Sequence, residues 1–302
     1  MVNIIGHRYI NFFVSGALFV VSVVSLLIFG LKPGNDFTGG SLLEVNFSKN
    51  VPVSSEIKNT LASLSLDNLV VQTANDKGLI IKMRFLNETE HQKVLTALRE
   101  KYQKDGEQVM EVRFETIGPA VSATLKQRTL WAIILVVVSH VLYIGYAFRK
   151  VSRPVQSWKY GVVAELAMVH DVVITMGIFS ILGHYFNIEV DVPFVVALLT
   201  ILGYSVNDTI VVFDRIRENL IRHSAENFPA MVNVAINETF ARSINTTLTT
   251  LITLAALFIF GGVTIKYFVL ALLVGIFLGA YSSIFVASPL LVEWFRFDRR
   301  GQ

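Results

Sequence analysis

The chain has 302 residues, of which 53% are hydrophobic and 16% charged, and its formal net charge is +3. With a mean hydropathy of +0.57, this composition excludes an ordinary soluble domain. The absence of cysteine excludes disulfides, zinc–cysteine and iron–sulfur sites, and a cysteine nucleophile. Six runs of about twenty apolar residues are each long enough to cross a bilayer. They occupy residues 10–31, 129–148, 161–183, 192–213, 243–262 and 267–291.

The first apolar run is predicted to remain in the protein as a membrane anchor. It continues into Ile28-Phe29-Gly30-Leu31 without an Ala-x-Ala-like cleavage site. We therefore expect three regions. Residues 1–31 contain the first membrane helix, 32–128 form a small folded domain with a lead-in helix, and 129–302 contain membrane helices two to six.

The distribution of lysine and arginine predicts the orientation of these helices. The short segments on one side hold Arg8, Arg149, Lys150, Arg153, Lys159, Arg215, Arg217, Arg222, Arg242, Arg296, Arg299 and Arg300. The short loops on the other side hold only Lys266. The positive-inside rule therefore predicts that both termini are cytoplasmic and that residues 32–128 are periplasmic. The sequence pI near 9.0 follows from this topology, so nucleic-acid binding is not needed to explain it.

The region 32–128 is predicted to be an α+β domain. Asn87 is the expected cap of its second helix, and Asn75-Asp-Lys-Gly78 the turn between its middle strands. The order β, α, β, β, α, β is typical of a ferredoxin-like unit. Strand patterns cover 41–47, 69–73, 79–85 and 109–115, and helical patterns cover 53–64 and 88–102.

The predicted fold is therefore an all-α bundle of six transmembrane helices with a ferredoxin-like α+β domain inserted between helices 1 and 2. Pro119 fits the first turn of the lead-in helix that precedes the second span. If that helix is continuous with the span, it would transmit motion of the domain to the membrane-spanning part of the chain.

A turn motif follows the first span, with the sequence Asp36, Phe37, Thr38, Gly39 and Gly40. The two glycines permit a tight turn from the membrane into the first strand. They are equally suited to a hinge, and the residues alone do not decide between the two roles.

Asp208 is the first candidate for a functional residue. It lies six residues before the charged boundary at Asp214, which places it about 9 Å inside the fourth apolar run. An acid there costs roughly 2.5 to 3.5 kcal/mol on insertion scales, so it is expected to be paired or to bind protons. Arg242, at the start of the fifth run, is the predicted partner. The structural alternative is a buried ion pair with no further role.

Hydroxyl groups extend along the fifth run at spacings of three and four residues. Such a face either lines a water-filled cleft or forms hydrogen bonds to neighbouring helices. We favour the water-filled cleft because the acid and the base of the preceding paragraph lie at its cytoplasmic end. Two asparagines extend the network or join helices. The residues concerned are Thr246, Thr249, Thr250, Thr253, Asn207 and Asn245.

His170 and Asp171 are adjacent near the middle of the third run. A proton relay would use a histidine beside a carboxylate, and a purely structural pair explains the two residues equally well. Adjacent helical residues point about 100° apart, so the two side chains need not contact each other. His140 in the second run is interpreted as a hydrogen-bonded filler.

The last run carries a small residue at every fourth position, including Gly275 and Gly279. This seam predicts close helix packing, either within the chain or against another subunit.

Two expectations concern the segment between the fourth and fifth runs. Glu218 and Arg222 are correctly ordered for an i, i+4 ion pair, and 228–240 is predicted to be an amphipathic helix on the membrane surface.

Three motifs resemble the SecF subunits of the SecD/SecF family, which belongs to the bacterial Sec machinery. They are the Asp36–Gly40 turn, the signature Val206-Asn-Asp-Thr-Ile-Val-Val-Phe-Asp-Arg-Ile-Arg-Glu-Asn219, and the block Arg242-Ser-Ile-Asn-Thr-Thr-Leu-Thr-Thr-Leu251. The resemblance extends over the whole chain. It implies a half-transporter of the RND superfamily in the bacterial cytoplasmic membrane.

The same resemblance implies a role and partners. The chain would pair with SecD and use the proton motive force to assist preprotein translocation through the SecYEG channel. Asp208 and Arg242 match the acid and base of the family's proton pathway. Further expected partners are YajC, YidC, an unfolded preprotein, protons and membrane lipids, with no nucleic acid, metal or cofactor.

Two other classes of function share features with this sequence. An exporter of small molecules or lipids of RND type would share the proton site and differ in the outer domain. An intramembrane hydrolase would need motifs such as Gly-x-Ser-x-Gly or His-Glu-x-x-His, which the sequence lacks. The sequence also lacks a Gly-x-x-x-x-Gly-Lys-Ser/Thr motif, so no ATP site or enzyme activity is expected.

Overall fold

A computed structural model describes residues 2–48, 50–67, 69–75, 77–104, 107–147, 155–222 and 227–300. It divides into two compact units. One is Pro33–Leu130, and the other joins the residues up to Lys32 with those from Trp131 onward. Some residues used in the sequence predictions lie outside the described ranges, namely Asp76 of the predicted turn and the basic residues Arg149, Lys150 and Arg153.

The elements follow one another in a simple order along the chain. The strands are β1 (Gly40–Phe47), β2 (Val70–Asn75), β3 (Gly78–Met83) and β4 (Val109–Ile117). The helices are α1 (Arg8–Phe29), α2 (Asn35–Thr38), α3 (Ser54–Leu61), α4 (Glu88–Tyr102), α5 (Pro119–Ala147), α6 (Ser157–Phe186), α7 (Val192–Arg222), α8 (Phe228–Phe260), α9 (Val263–Ser282) and α10 (Ser288–Arg300). A π-helix, Ser283–Ala287, joins α9 to α10.

The unit Pro33–Leu130 is a four-stranded antiparallel sheet in the order β2-β3-β1-β4, with β1 paired to both β3 and β4. The sequence β1, α3, β2, β3, α4, β4 is the ferredoxin-like order, so that prediction is confirmed. Alternate residues of β1, namely Leu43, Val45 and Phe47, are buried against the two helices. A β-bulge between Glu44 and Val45 shifts the register with β4.

Helix α4 begins at a complete capping box. The Glu90 amide donates to Asn87 Oδ1 at 2.9 Å, and the Asn87 amide donates to Glu90 Oε2 at 3.1 Å. Arg84 also donates to Glu90 Oε1 at 2.6 Å. This hydrogen bond, with that from the Asn87 amide, lowers the pKa of Glu90. The predicted cap at Asn87 is confirmed, and its reciprocal partner is Glu90.

In the described part of the chain, six helices are long and apolar enough to cross a membrane, as predicted. They are Ile5–Phe29, Pro119–Ala147, Trp158–Phe186, Val192–Ile221, Phe228–Phe260 and Thr264–Arg299. The third, fourth and sixth of these are the most buried within the chain. The predicted lead-in helix and the second span form one unbroken helix, α5.

Serine and glycine residues bring α1 and α6 close together. Gly177 faces Ser22 so closely that a Cβ on the glycine would overlap the serine. Ser25 donates to the Gly177 carbonyl at 3.1 Å, and Ser180 donates to the Ser25 carbonyl at 2.9 Å. Small residues permit this approach, and their hydroxyls then bond between the helices.

The first part of α8 corrects one prediction. Residues 228–240 do not form a separate surface helix, because they are continuous with the fifth span. Their apolar face, which includes Phe228 and Val232, is buried in one core with Ile4 and Ile5. Asn233 Oδ1 accepts the Ile4 amide at 2.9 Å and the Ile5 amide at 3.2 Å. The chain's own N-terminal segment therefore contributes to covering this face.

The end of α7 carries ion pairs, but the predicted Glu218–Arg222 pair lies outside the described side chains. Glu218 pairs with Arg215 at 2.6 Å, and the Arg222 side chain lies outside the described part of the structure. Arg215 donates in addition to Glu238 on α8 at 2.8 Å.

Candidate functional site

Asp208 lies on α7, between the buried residues Val206 and Thr209, and is itself half-buried. The side chain that interacts with its carboxylate is that of Thr247 on α8. The structure therefore provides the acid inside the fourth span with a neutral hydroxyl partner from the fifth.

Arg242 does not supply the predicted ion pair. Within the described ranges, no salt bridge joins Arg242 to Asp208, and the Arg242 side chain is exposed. The reason is the geometry of α8. Arg242 and Thr247 are five residues apart and so point about 140° apart around the helix. Ser243, Thr247 and Leu254 occupy the buried face, whereas Arg242 occupies the opposite one.

The predicted hydroxyl face also points away from the interior of the chain. Thr246 donates to its own helix at the Arg242 carbonyl, 2.9 Å away, and Thr249 to the Asn245 carbonyl at 3.0 Å. We call a group of six exposed polar residues on α7 and α8 the outward strip. It consists of Asn207, Arg242, Asn245, Thr246, Thr249 and Thr253. Because polar groups in hydrocarbon are costly, this strip is poorly suited to contact with lipid alone.

A second polar cluster lies around Asp171 on α6, which is 0% exposed. Ser205 on α7 and Ser282 at the end of α9 each donate to Asp171 Oδ2 at 2.7 Å. His170 Nδ1 is hydrogen-bonded to Asp171 Oδ1 at 2.9 Å. The adjacent His170 and Asp171 side chains therefore do contact each other. We call these four residues the Asp171 cluster.

Close helix packing brings the Asp171 cluster together. A Cβ built on Gly279 would lie 3.1 Å from the Ser205 Cα, and one on Gly275 would overlap Ile201. The small-residue seam of the last span thus faces α7 of the same chain. The π-helix begins directly after Ser282, and π-helical turns occur frequently at functional sites.

The turn that follows the first span requires both of its glycines. Gly39 has φ +72° and Gly40 has φ +123°, conformations that favour glycine. A Cβ on Gly40 would lie 2.6 Å from the Met83 carbonyl oxygen. Asn35 Nδ2 donates to the Gly40 carbonyl at 3.1 Å, and Asp36, Phe37 and Thr38 belong to the short helix α2. This geometry favours the tight turn over the hinge.

Comparison with known proteins identifies the family. The family model described as "Protein export membrane protein SecD/SecF, C-terminal" matches residues 97–296, and that of the "SecD/SecF GG Motif" matches 24–51. A protein translocase subunit SecF from Thermobaculum terrenum is 41% identical, with 97% of this chain and 94% of that protein aligned. The chain belongs to the SecF family of protein translocase subunits.

Two further relatives agree with this assignment. SecF from Synechocystis is 37% identical over 93% of this chain and 90% of its own length. The crystal structure of SecDF, a translocon-associated membrane protein from Thermus thermophilus, superposes with a TM-score of 0.83 at 31% identity. That alignment covers 97% of this chain but 38% of the SecDF chain. The fold is thus that of a SecF-type six-helix membrane protein with one inserted sheet domain.

Sequence reasoning missed three residues of this SecF-type fold. Ser205 and Ser282 are polar residues in apolar runs, and that was the only sign of their role. They lie 34 and 111 positions after Asp171, distances at which a single sequence carries no pairing information. Thr247, in contrast, occupies a different helical face from the exposed residues Thr246, Thr249 and Thr253. Helical periodicity could have separated it from them.

His140 is hydrogen-bonded within its own helix, and its role as a filler stays a prediction. Its Nδ1 is hydrogen-bonded to the Val136 carbonyl of its own helix at 2.9 Å.

Proposed function

We propose that this chain is the SecF subunit of a SecDF complex that uses the proton motive force to assist preprotein translocation through the SecYEG channel. The observation that carries the proposal is the half-buried Asp208 carboxylate inside the fourth span. Its partner is the neutral Thr247 hydroxyl, and it forms no ion pair with a described cation. An intramembrane acid with this environment is suited to binding and releasing a proton.

The outward strip supports a pathway that is completed by a second subunit. Arg242 and Asn207 face away from this chain's own core. A partner with matching polar groups would satisfy them and enclose a hydrated route that ends at Asp208. Because this chain corresponds to 38% of the solved SecDF chain, SecD is the natural candidate for that partner. YajC, YidC and the unfolded preprotein are further proposed partners.

The membrane potential supplies enough energy for such a role. A proton that crosses 100 mV provides about 2.3 kcal/mol, so a few protons would bias a two-state motion. Protonation of Asp208 would remove its charge and alter the contact between α7 and α8. Helix α5 runs unbroken from Pro119 to Ala147 and is the proposed route by which the domain preceding it is moved.

We also propose that both termini are cytoplasmic and that the sheet domain is periplasmic. The described basic residues Lys159 and Arg296 are predicted on the inner side, and Lys266 on the outer side. In this orientation the sheet domain lies on the side to which a preprotein emerges.

The deciding experiment measures preprotein export in cells that carry Asp208→Asn, with the proton motive force imposed and then collapsed. The expected result is loss of the force-dependent part of export, with normal membrane level and normal co-purification of SecD. Ser54→Ala, in the sheet domain, is the matched control and should export normally. Unchanged force-dependent export in Asp208→Asn would reject the proposal.

A further inference from the structure

The Asp171 cluster differs from the Asp208 site in its access to the surroundings. Asp208 is half-buried, next to the outward strip, whereas Asp171 is 0% exposed. Asp171 is held by two serine hydroxyls and His170, and it forms no ion pair with a described lysine or arginine. The second ring nitrogen of His170, Nε2, is buried and has no hydrogen-bond partner among the described residues.

The side-chain contacts of the cluster converge on Asp171 and do not continue beyond it among the described side chains. The two serines donate to the same oxygen of Asp171, and the Ser282 hydroxyl also lies 3.2 Å from the Gly279 carbonyl of its own helix. Within the described structure, no chain of hydrogen bonds leads from Asp171 to an exposed group.

The same contacts are well arranged to hold three helices in register. Asp171 belongs to α6, Ser205 to α7 and Ser282 to the end of α9. The 2.7 Å distances to both hydroxyls are those of well-formed O–H···O hydrogen bonds. Because the Gly279 seam lets α7 and α9 approach, both hydroxyls reach one oxygen atom.

The position of Ser205 connects this cluster to the proton site. Ser205 precedes Asp208 by three residues on α7, which is about 4.5 Å along the helix axis. A hydrogen bond that fixes Ser205 therefore fixes the turn that carries Asp208. The position of Asp208 along the bundle axis, relative to Thr247 on α8, is thereby fixed as well.

We infer that Asp171 is a positioning residue, which acts through Ser205 and Ser282 to hold Asp208 in place and does not itself carry a proton. The inference rests on the proposed function of Asp208. It decides between the relay and the structural pair that the sequence left open for His170 and Asp171.

The test compares two substitutions of Asp171 in the assembled SecDF complex in native membranes. An asparagine at this position still offers an oxygen to Ser205 and Ser282, whereas a leucine offers none. A positioning role predicts that Asp171→Asn loses less force-dependent export than Asp171→Leu. A proton-carrying role predicts that Asp171→Asn is as defective as Asp171→Leu, because neither side chain titrates.

A second readout reports on Asp208 directly. The reaction of its carboxyl with a hydrophobic carbodiimide, mapped by mass spectrometry, depends on the surroundings of that side chain. Asp171→Leu and Ser205→Ala should both change the labelling rate at Asp208 and lower export. Thr175→Val is the matched control, since the Thr175 hydroxyl donates only to the Asp171 backbone carbonyl, at 2.8 Å.

Each outcome separates this inference from the proposed function. If Asp171→Leu does not accumulate in membranes, Ser205→Ala decides the matter, because it removes a single hydroxyl. Normal labelling and export in Ser205→Ala would overturn the inference, as would an Asp171→Asn variant that assembles but is as defective as Asp171→Leu. Normal export in Asp208→Asn would instead overturn the proposed function, whatever the labelling shows.

Discussion

Gly279 on α9 lies directly against Ser205 on α7, where a Cβ on the glycine would be 3.1 Å from the serine Cα. Gly279→Ala is therefore expected to force the two helices apart and to weaken the bond from Ser205 to Asp171. Overpacking of this kind costs about 1 to 3 kcal/mol. The melting temperature of the detergent-solubilised chain should fall, and differential scanning fluorimetry measures it.

The matched control for this substitution is Gly16→Ala in α1. No atom lies within 4 Å of a Cβ at Gly16, so the added methyl group meets open space. Helix propensity alone then favours alanine, by about 0.5 to 1 kcal/mol. A Gly279→Ala variant that melts at or above the temperature of Gly16→Ala would show that the close approach is not required.

A double-mutant cycle separates the two possible partners of Asp208. In the isolated chain, Asp208→Ala and Thr247→Val should be coupled by about 0.6 kcal/mol, the average for hydrogen bonds between membrane helices. Asp208→Ala and Arg242→Gln should add within about 0.3 kcal/mol, since no ion pair joins the two side chains in the described structure. Unfolding in mixed detergent micelles gives the free energies. Strong coupling between Asp208 and Arg242 would contradict the observed arrangement.

Gly40→Ala should destabilise the sheet domain. The substitution places a side chain at φ +123° and a Cβ 2.6 Å from the Met83 carbonyl oxygen. Backbone strain of this kind costs about 1 to 3 kcal/mol. Pulse proteolysis of the full chain measures the change, with Gly118→Ala as the control because the nearest atom there, in the Phe85 ring, is 3.7 Å away. Equal stability of the two variants would show that position 40 does not require a residue without a Cβ atom.

Lowering the pH should destabilise the first turn of α4. The hydrogen bond from Arg84 lowers the pKa of Glu90, so the folded form favours the ionised carboxylate. This stabilisation is fully present above the unfolded pKa of about 4.3 and is lost as the pH falls through the lower folded pKa. Amide exchange at the start of α4, corrected for its intrinsic pH dependence, should therefore rise in that range.

Glu90→Gln tests the assignment of this acid effect. Glutamine keeps the capping geometry but cannot ionise, so most of the pH dependence should disappear. Glu100→Gln, near the other end of α4, is the control for a general effect of charge removal. If Glu90→Gln keeps the pH dependence of the parent, the effect has another source.

The absence of cysteine makes the proposed topology easy to test. Ser55 in α3 and Ala230 in α8 are exposed, so a single cysteine at either position should react readily. In intact spheroplasts, a membrane-impermeant maleimide should label Ser55→Cys but label Ala230→Cys only after permeabilisation. The reverse pattern would invert the orientation.

Local physical chemistry was sufficient to predict most of the fold. The six apolar runs, the ferredoxin-like order and the cap at Asn87 each depend on residues that are close in sequence. The prediction for residues 228–240 was wrong because its premise was incomplete. Their amphipathic pattern is real, but the face it creates is covered in part by Ile4 and Ile5 from the other end of the chain.

The candidate site shows the same division between local and long-range information. Asp208 was singled out because an acid in an apolar run is conspicuous by itself. Its partner was misplaced because Arg242 and Thr247 differ in helical face, and only the packing of α8 on α7 shows which face is buried. The bonds from Ser205 and Ser282 to Asp171 depend on three helices meeting, which no local pattern specifies.

The Asp171 cluster also imposes an order of events during synthesis. Ser205 and Ser282 are made 34 and 111 residues after Asp171. At about 5 to 20 residues per second, the ribosome needs roughly 6 to 22 seconds to reach Ser282. Ser205 is made after roughly 2 to 7 seconds at the same rates, and until then His170 is the only other member of the cluster already present. The hydroxyl partners of Asp171 are therefore added one at a time, and the last span completes the cluster when Ser282 arrives.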